Sequence, residues 1–181
     1  MSGLKLSQAW RKMGAKVIGK HDYKATGLTK SAVFDPSMVS EVARFMIDLG
    51  YFLEDLSAMD VKEGILVTYH YDSYYEPGRV AVRALADADG KVTSITSVYQ
   101  GAEWHEREAF DFLGVRFIGN PNLVPLLLPH DFPDPPPLKK EAGARAAMRD
   151  LKLFGEAEIL DPAWAAIVNG LGADQREEGA S

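Results

Sequence analysis

The chain has no cysteine among its 181 residues. Disulfides, zinc–thiolate sites, cysteine nucleophiles and iron–sulfur clusters held by the chain's own thiolates are therefore excluded. No apolar run approaches the roughly 18 residues that a membrane-spanning helix needs, and no apolar segment follows the N-terminal charges as in a signal peptide. The hydrophobic share of 46% is that of an ordinary globular chain. We expect one folded domain with an appendage, in a reducing compartment.

The net charge of −6 argues against a general nucleic-acid-binding protein. The charges are unevenly placed, because residues 1–30 hold seven basic residues and one acidic residue. A basic terminal segment is either a solvated arm or an arm that docks on an acidic neighbour. Its lysine-rich composition, without interleaved aromatic residues, favours the solvated arm. We therefore predict a basic N-terminal arm over residues 1–34.

Hydrophobic periodicity over residues 35–118 predicts an α+β core domain. Asp35 and Pro36 suit the start of a helix, and Gly50 suits its end. The predicted elements, in chain order, are a helix over 36–49, strands over 65–72, 80–86 and 92–99, a helix over 102–113 and a short strand over 115–118. Because the connections between strands are short, we predict a small, mainly antiparallel sheet with helices packed on it in a sandwich-like arrangement.

Residues 119–181 are predicted to form an extended, proline-rich arm with short helices and a flexible tail. Seven of the ten prolines fall between Pro121 and Pro137, which disfavours both helix and sheet there. Helices are expected over 141–151 and 161–168, and the composition of 172–181 is typical of a disordered terminus. The segment Pro121–Lys140 also carries leucines that need a covering surface, so we expect it to be the main partner-binding arm.

The charged helix begins with His105-Glu106, the pair that opens a zinc-protease motif. That motif needs a second histidine four residues after the first, so that both imidazoles share one helical face. Position 109 is alanine, and the other histidines are isolated in sequence. A stand-alone binding module or small enzyme built on this pair remains an open alternative, but no metal site has local support.

Carboxylates on the same helix could serve as a general acid and base. However, Arg107 lies four residues from both Glu103 and Asp111, and pairs at that spacing neutralise carboxylates instead of raising a pKa. We therefore predict a structural ion-pair network in which Arg107 is the most damaging charge to remove.

The run from Trp104 to Phe117, WHEREAFDFLGVRF, resembles the signature of the thirty-kilodalton subunit family of respiratory complex I. The resemblance continues through Gly119–Leu123 and Leu126–Phe132. Upstream, Leu53–Asp60 is similar to the family's strand before the meander. The resemblance covers about Pro36 to Lys140, most of the predicted folded part.

The resemblance implies a structural subunit of an NADH–quinone oxidoreductase, a respiratory translocase, with no catalytic activity of its own. It implies no cofactor and a peripheral position on the cytoplasmic face of the membrane, which the chain touches only through its partners. The implied partners are a large, forty-nine-kilodalton-like subunit near the quinone site and iron–sulfur subunits. The implied structural or interface residues are Glu103, Trp104, His105, Glu106, Arg107, Glu108, Asp111, Gly114, Leu126, Leu127, Leu128, Pro129 and Asp131.

The sequence departs from the family pattern at three places. Residues 120–122 read Asn-Pro-Asn where the family has His-Pro-Asp, and residues 124 and 125 replace arginines. Residues 135–140 read Pro-Pro-Pro-Leu-Lys-Lys instead of Gly-His-Pro-Leu-Arg-Lys. The same domain occurs in energy-converting nickel–iron hydrogenases and formate hydrogenlyases, so these departures bear on the parent complex more than on the fold.

Overall fold

A six-stranded sheet forms the centre of the molecule, described by a computed structural model over residues 3–75 and 78–169. The strands are β1 Val17–Lys20, β2 Lys30–Phe34, β3 Tyr51–Val61, β4 Gly64–Ser73, β5 Val80–Leu85, β6 Lys91–Thr93, β7 Arg116–Ile118 and β8 Glu156–Ile159. The helices are α1 Gly3–Lys12, α2 Tyr23–Thr26, α3 Val39–Asp48, α4 Ala102–Leu113 and α5 Ala165–Asn169. The main sheet runs in the order β3-β4-β5-β2-β1-β8, and only β2 and β5 pair in parallel.

Helices cover one face of this sheet. Trp10 of α1, Met46 of α3 and Leu113 of α4 belong to one buried cluster with Phe34 and Tyr69 of the strands. Burying each such side chain contributes about 1.5–3 kcal/mol relative to exposure. This packing places α4 against the long edge strand β3, and so fixes the position of the charged helix.

The C-terminal segment covers the opposite face. Met148 and Phe154 are buried there against Val17 and Val33 of the sheet. The main chain at Phe154 comes so close that a Cβ atom on Gly19 would lie 2.2 Å from its carbonyl oxygen, so only glycine fits at that position. The same face buries Arg83, whose Nε and Nη1 have no hydrogen-bond partner among the described residues, and burial lowers its pKa to about 10.

The predicted α+β class is confirmed, as are most elements of the central region. The helix predicted over 36–49 is α3, although it begins at Val39, because Asp35 accepts a hydrogen bond from Ser37 N at 3.0 Å in a turn before it. The strands predicted over 65–72 and 80–86 are β4 and β5, and the charged helix has the predicted bounds of α4. The strand that the resemblance implied over 53–60 is β3.

The prediction of a solvated basic arm over residues 1–34 is wrong for its described part. β2 lies inside the sheet, between β1 and β5. The basic side chains pair with acidic residues of the C-terminal segment: Arg11 with Glu158, Lys16 with Asp161 at 3.0 Å and Lys20 with Glu156 at 3.6 Å. The acidic neighbour is therefore the other end of the same chain, and the core extends beyond 35–118.

The strand predicted over 92–99 is also corrected. Only Lys91–Thr93 is extended, as β6, and it pairs in parallel with β7 in a separate two-stranded sheet. The chain leaves the strand because Ile95 N binds a buried carboxylate and the N–H groups of Val98 and Tyr99 turn back to the carbonyl of Ile95. The antiparallel meander consists of β3, β4 and β5.

The arm predicted over 119–181 is only partly extended. β8 pairs with β1 at the edge of the sheet, and two short 3₁₀ turns, Ala142–Ala144 and Met148–Leu151, replace the helix predicted over 141–151. Tertiary bonds override helix propensity there, because Glu63 accepts from Met148 N. The helix predicted from Asp161 forms as a 3₁₀ turn followed by α5. Its predicted end at Gly170 and the tail 172–181 lie outside the described residues.

Candidate functional site

Helix periodicity divides the charged residues of α4 between two sides. The helix ends at Gly114, which adopts φ 74° while its N–H bonds to Phe110 O at 2.8 Å. A Cβ atom there would lie 3.2 Å from Pro136 Cγ, so Gly114 also admits the following segment. One side of α4 contacts residues 94–128, and the other carries the exposed Trp104.

Glu106 is fully buried on the inner side of α4. Its Oε1 accepts from Ile95 N at 2.8 Å, and its Oε2 accepts from Ser94 Oγ at 2.7 Å and Asn120 Nδ2 at 2.8 Å. Burial raises the pKa of Glu106 above its ordinary value, and the three donors oppose that shift. The expectation that ion pairing leaves no raised pKa on this helix is therefore wrong.

Asp111 binds the main chain of the leucine segment. Its Oδ2 accepts hydrogen bonds from the backbone N–H groups of Leu126 at 2.9 Å, Leu127 at 2.7 Å and Leu128 at 3.1 Å. A carboxylate that receives several N–H groups acts like a charged cap for a chain without secondary structure. The predicted pair between Arg107 and Asp111 is not among the ion pairs of the described residues.

Arg107 also binds main-chain atoms. Its Nε donates to Val124 O and its Nη2 to Pro125 O, both at 2.9 Å. The predicted pair with Glu103 is present at 3.8 Å between Nη1 and Oε1, and Glu103 accepts from Asn122 Nδ2 at 2.9 Å. The guanidinium is therefore occupied mainly by carbonyl oxygens.

We call these four side chains, with the segment Asn120–Leu128 that they hold, the α4 clamp; they are Glu103, Glu106, Arg107 and Asp111. The segment Asn120–Leu128 is not paired in a sheet, so its backbone N–H and C=O groups need other hydrogen-bond partners, and α4 supplies them. The clamp leaves Leu127 62% exposed, while Leu126 and Leu128 are half-buried. Pro129 and Asp131, predicted interface residues, are exposed beyond it.

The outer side of α4 carries Trp104, His105 and Glu108. Trp104 is 67% exposed, and His105 Nδ1 lies 3.5 Å from Asp55 Oδ1. Cavities of about 400 Å³ and 260 Å³ flank His105. Across residues 3–75 and 78–169, no group of three His, Asp or Glu side chains is placed to hold a metal ion.

The candidate site predicted from sequence lies on α4, and the prediction missed three hydrogen-bond partners of its side chains. Ser94, Ile95 and Asn120 complete the shell around Glu106. A signal existed only for Asn120, which follows Gly119 and departs from the family pattern. Asp55 gave no signal, because only the packing of α4 on β3 brings it to His105.

Comparison with known proteins identifies the family. Residues 32–147 match the family described as the respiratory-chain NADH dehydrogenase 30 Kd subunit. The chain belongs to this family. The match contains most of β2, the strands β3 to β7 and the whole α4 clamp, so the clamp lies in the part of the chain shared with the 30 Kd subunit family.

Relatives and solved structures agree with this assignment. An NADH-quinone oxidoreductase subunit of Xanthobacter autotrophicus is 36% identical over 114 residues, which are 59% of this chain and 54% of that protein. The chain spans between about a third and two thirds of the length of the first curated relatives it matches.

Two solved structures have the same fold at 22% identity. The trypsin-resistant fragment (1-134) of Nqo5 aligns with TM-score 0.56 over 68% of this chain and all of the fragment. A chain of the membrane-bound sulfane sulfur reductase, an archaeal respiratory membrane complex, aligns with TM-score 0.55 over 66% of this chain and 72% of its own length. The part of this chain that the structure describes contains no helix long and apolar enough to cross a membrane.

Proposed function

We propose that this chain is a non-catalytic subunit of a membrane-associated NADH:quinone oxidoreductase of the complex I type. It braces the large, forty-nine-kilodalton-like subunit near the quinone site, alongside iron–sulfur subunits, while electron transfer is coupled to ion translocation. Its position is peripheral, on the cytoplasmic face of the membrane, with membrane contact through the complex. Membership of the 30 Kd subunit family supports this role.

The α4 clamp is the observation that carries the proposal. Its four charged side chains hold the chain's own segment, so they are not free to act on a substrate. This does not favour a stand-alone enzyme that uses His105 and Glu106. Two large apolar side chains are exposed around the clamp: Leu127 of the held segment is 62% exposed, and Trp104 on the outer side of α4 is 67% exposed. Large exposed apolar side chains on a rigid support are typical of protein–protein interfaces.

The equivalent subunit of an energy-converting nickel–iron hydrogenase or formate hydrogenlyase is the second candidate. Its support is the shared fold with a chain of an archaeal respiratory membrane complex and the departures from the family pattern at residues 120–125 and 135–140. Neighbouring genes discriminate the two: a flavin-bearing NADH-oxidising subunit favours complex I, whereas nickel-binding cysteine pairs in the large subunit favour a hydrogenase.

Affinity purification of the tagged full chain from its native host tests the proposal. We expect the large subunit and iron–sulfur subunits to co-purify in mild detergent. Trp104→Ala should lower their recovery several-fold, because an aromatic side chain that becomes buried on binding contributes strongly to an interface. Tyr23→Ala, at a 52% exposed aromatic residue on α2, is the matched control and should keep full recovery. A chain that purifies without any oxidoreductase subunit would overturn the proposal.

A further inference from the structure

A groove runs between the edge strand β3 and α4, on the outer side of the α4 clamp. The smaller cavity in it has a volume of about 260 Å³ and is lined by both apolar and polar side chains. Its apolar lining comprises Leu56, Ala58, Ala109, Phe112, Leu113 and Leu138. Small-molecule sites usually measure about 300–1,000 Å³, so this cavity suits a single side chain better than a cofactor.

Two carboxylates stand in the wall of this cavity, Asp55 and Glu108. Asp55 lies where the register of β3 against β4 shifts between Leu53 and Asp55, a β-bulge that re-aims the side chain at the edge of the sheet. From there its carboxylate faces two imidazoles, His105 at 3.5 Å and His70 at 3.8 Å. These rings carry positive charge only when protonated, and burial lowers the pKa of His70.

Glu108 is exposed and forms no ion pair or side-chain hydrogen bond within the described ranges 3–75 and 78–169. This contrasts with its helix neighbours in the α4 clamp, which are all engaged. No lysine or arginine is among the residues that line the cavity. The groove thus combines apolar side chains with carboxylates in its wall, and among the described residues no lysine or arginine lines either of its cavities.

We propose that the groove receives a lysine or arginine side chain from a segment of a partner subunit. The aliphatic stem lies on the apolar side chains of the lining between β3 and α4, and the cationic head meets Asp55 and Glu108. Long basic side chains have this division between apolar stem and charged tip, and charge complementarity of this kind fixes register and orientation at an interface. The inference rests on the proposed function, since it specifies how one partner docks.

Charge reversal in the assembled complex tests the groove. Glu108→Lys places a cation where the partner's cation should lie, and should lower recovery of the partner subunit at least about tenfold. Glu41→Lys is the matched control, because Glu41 is an exposed glutamate on α3 that lines neither cavity. Glu108→Lys should unfold at the same urea concentration as the wild type, which excludes a folding defect. Glu41→Lys should unfold at a slightly lower urea concentration, because it places a cation in the first turn of α3.

Photo-crosslinking then identifies the occupant. With p-benzoylphenylalanine in place of Phe112, we expect a crosslink to a partner peptide that contains a lysine or arginine. Changing that basic residue of the partner to glutamate should restore recovery of the partner by the Glu108→Lys variant. The proposed role of the groove would be overturned by a crosslinked peptide without a basic residue. It would also be overturned if Glu108→Lys and Glu41→Lys recovered the partner subunit equally well. If Trp104→Ala still loses the partner in that case, the proposed function stands and only the groove falls.

Discussion

The two sides of α4 differ in what their charges do. On the inner side, Glu106 and Asp111 are buried and each accepts three hydrogen bonds from the protein's own chain. On the outer side, Glu108 is exposed and Trp104 is 67% exposed. The sequence presents all four in one charged run. Helix periodicity separates Glu106 from Glu108, because two residues span about 200° of a helix. Asp111 lies about two turns after Trp104, and it differs from Trp104 because the leucine segment covers its carboxylate.

This difference separates stability from assembly. Removing an inner group leaves donors buried without a partner, and each such donor costs roughly 1–3 kcal/mol. Removing an outer group deletes a side chain that already lies in water, so the free energy of unfolding should hardly change. Inner variants should therefore lower the free energy of unfolding, whereas outer variants should act only on partner binding. Substitutions on each side can break that division, and their expected effects run from several kcal/mol to almost none.

Glu106→Ala should have the largest effect. It leaves Ser94 Oγ, Ile95 N and Asn120 Nδ2 without their common acceptor and opens a cavity in the core. We expect the free energy of unfolding to fall by about 3–5 kcal/mol, measured by urea denaturation followed by circular dichroism. A loss below about 1 kcal/mol would show that water replaces the carboxylate, and the inner side would then not differ from the outer.

Asp111→Ala should come next. Three consecutive N–H groups of the leucine segment lose one acceptor atom, and the half-exposed segment can recover part of the loss from water. We expect a decrease of about 2–3 kcal/mol in the free energy of unfolding. Amide hydrogen exchange at Leu126 and Leu127 should accelerate at the same time. Asp111→Asn keeps one acceptor oxygen and should lose less, so equal losses in both variants would contradict the role of the hydrogen bonds.

Arg107→Ala should cost less than either carboxylate, contrary to the ranking that the sequence predicts. The carbonyl groups of Val124 and Pro125 lose their donors but lie where water can reach them, since both residues are partly exposed. The expected loss is about 1–2 kcal/mol. Arg107→Lys supplies one donor instead of a fork and should recover only part of it. A loss greater than that of Glu106→Ala would restore the ranking based on sequence.

The pH dependence of stability should report the buried carboxylate. Since the pKa of Glu106 is raised in the folded state, the folded chain binds more protons than the unfolded chain between the two pKa values. The contribution of Glu106 is therefore largest below its unfolded pKa and is lost as pH rises through its folded pKa. The Glu106→Gln variant does not titrate at this position. Subtracting its free energy of unfolding from that of the wild type at each pH should therefore isolate the pH dependence that Glu106 contributes. If the difference in free energy of unfolding between the two proteins stays constant from the unfolded to the folded pKa of Glu106, the raised pKa is contradicted.

Glu108→Ala should have the smallest effect on stability. Among the described residues it has no partner to lose, so we expect a change within about 0.5 kcal/mol by urea denaturation. Alanine at Glu41, which is also exposed but lies in the first turn of α3, is the control and should cost slightly more, because the charge of Glu41 favours the helix N-terminus. A destabilisation beyond about 1 kcal/mol would mean that the outer side also serves the fold.

Local patterns were sufficient wherever a segment determines its own structure. The bounds of α4, the end of that helix at Gly114 and the strands β4 and β5 follow from periodicity and end signals within a few residues. β1, β2 and β8 were not predicted, because short strands become strands through the neighbours they pair with. The predicted core over 35–118 was too short for the same reason, since Met148 and Phe154 fill the second face of the sheet.

The candidate site shows the same limit at the level of single side chains. The charge run, its spacing and the family signature made α4 the candidate site, and the spacing correctly paired Arg107 with Glu103. They could not show that Asp111 turns to the leucine segment.

Sequence by itself determined the elements whose cause is local, namely α3, α4 and the central strands, together with membership of the 30 Kd subunit family. Only the tertiary structure decided which end of the chain neutralises the basic N-terminal residues and which carboxylate is buried. The physical reason is that a helix or turn depends on residues a few positions apart, whereas ion pairs and burial depend on groups that folding brings together. Glu106 and Glu108 are chemically identical and two residues apart, and their surroundings alone separate them.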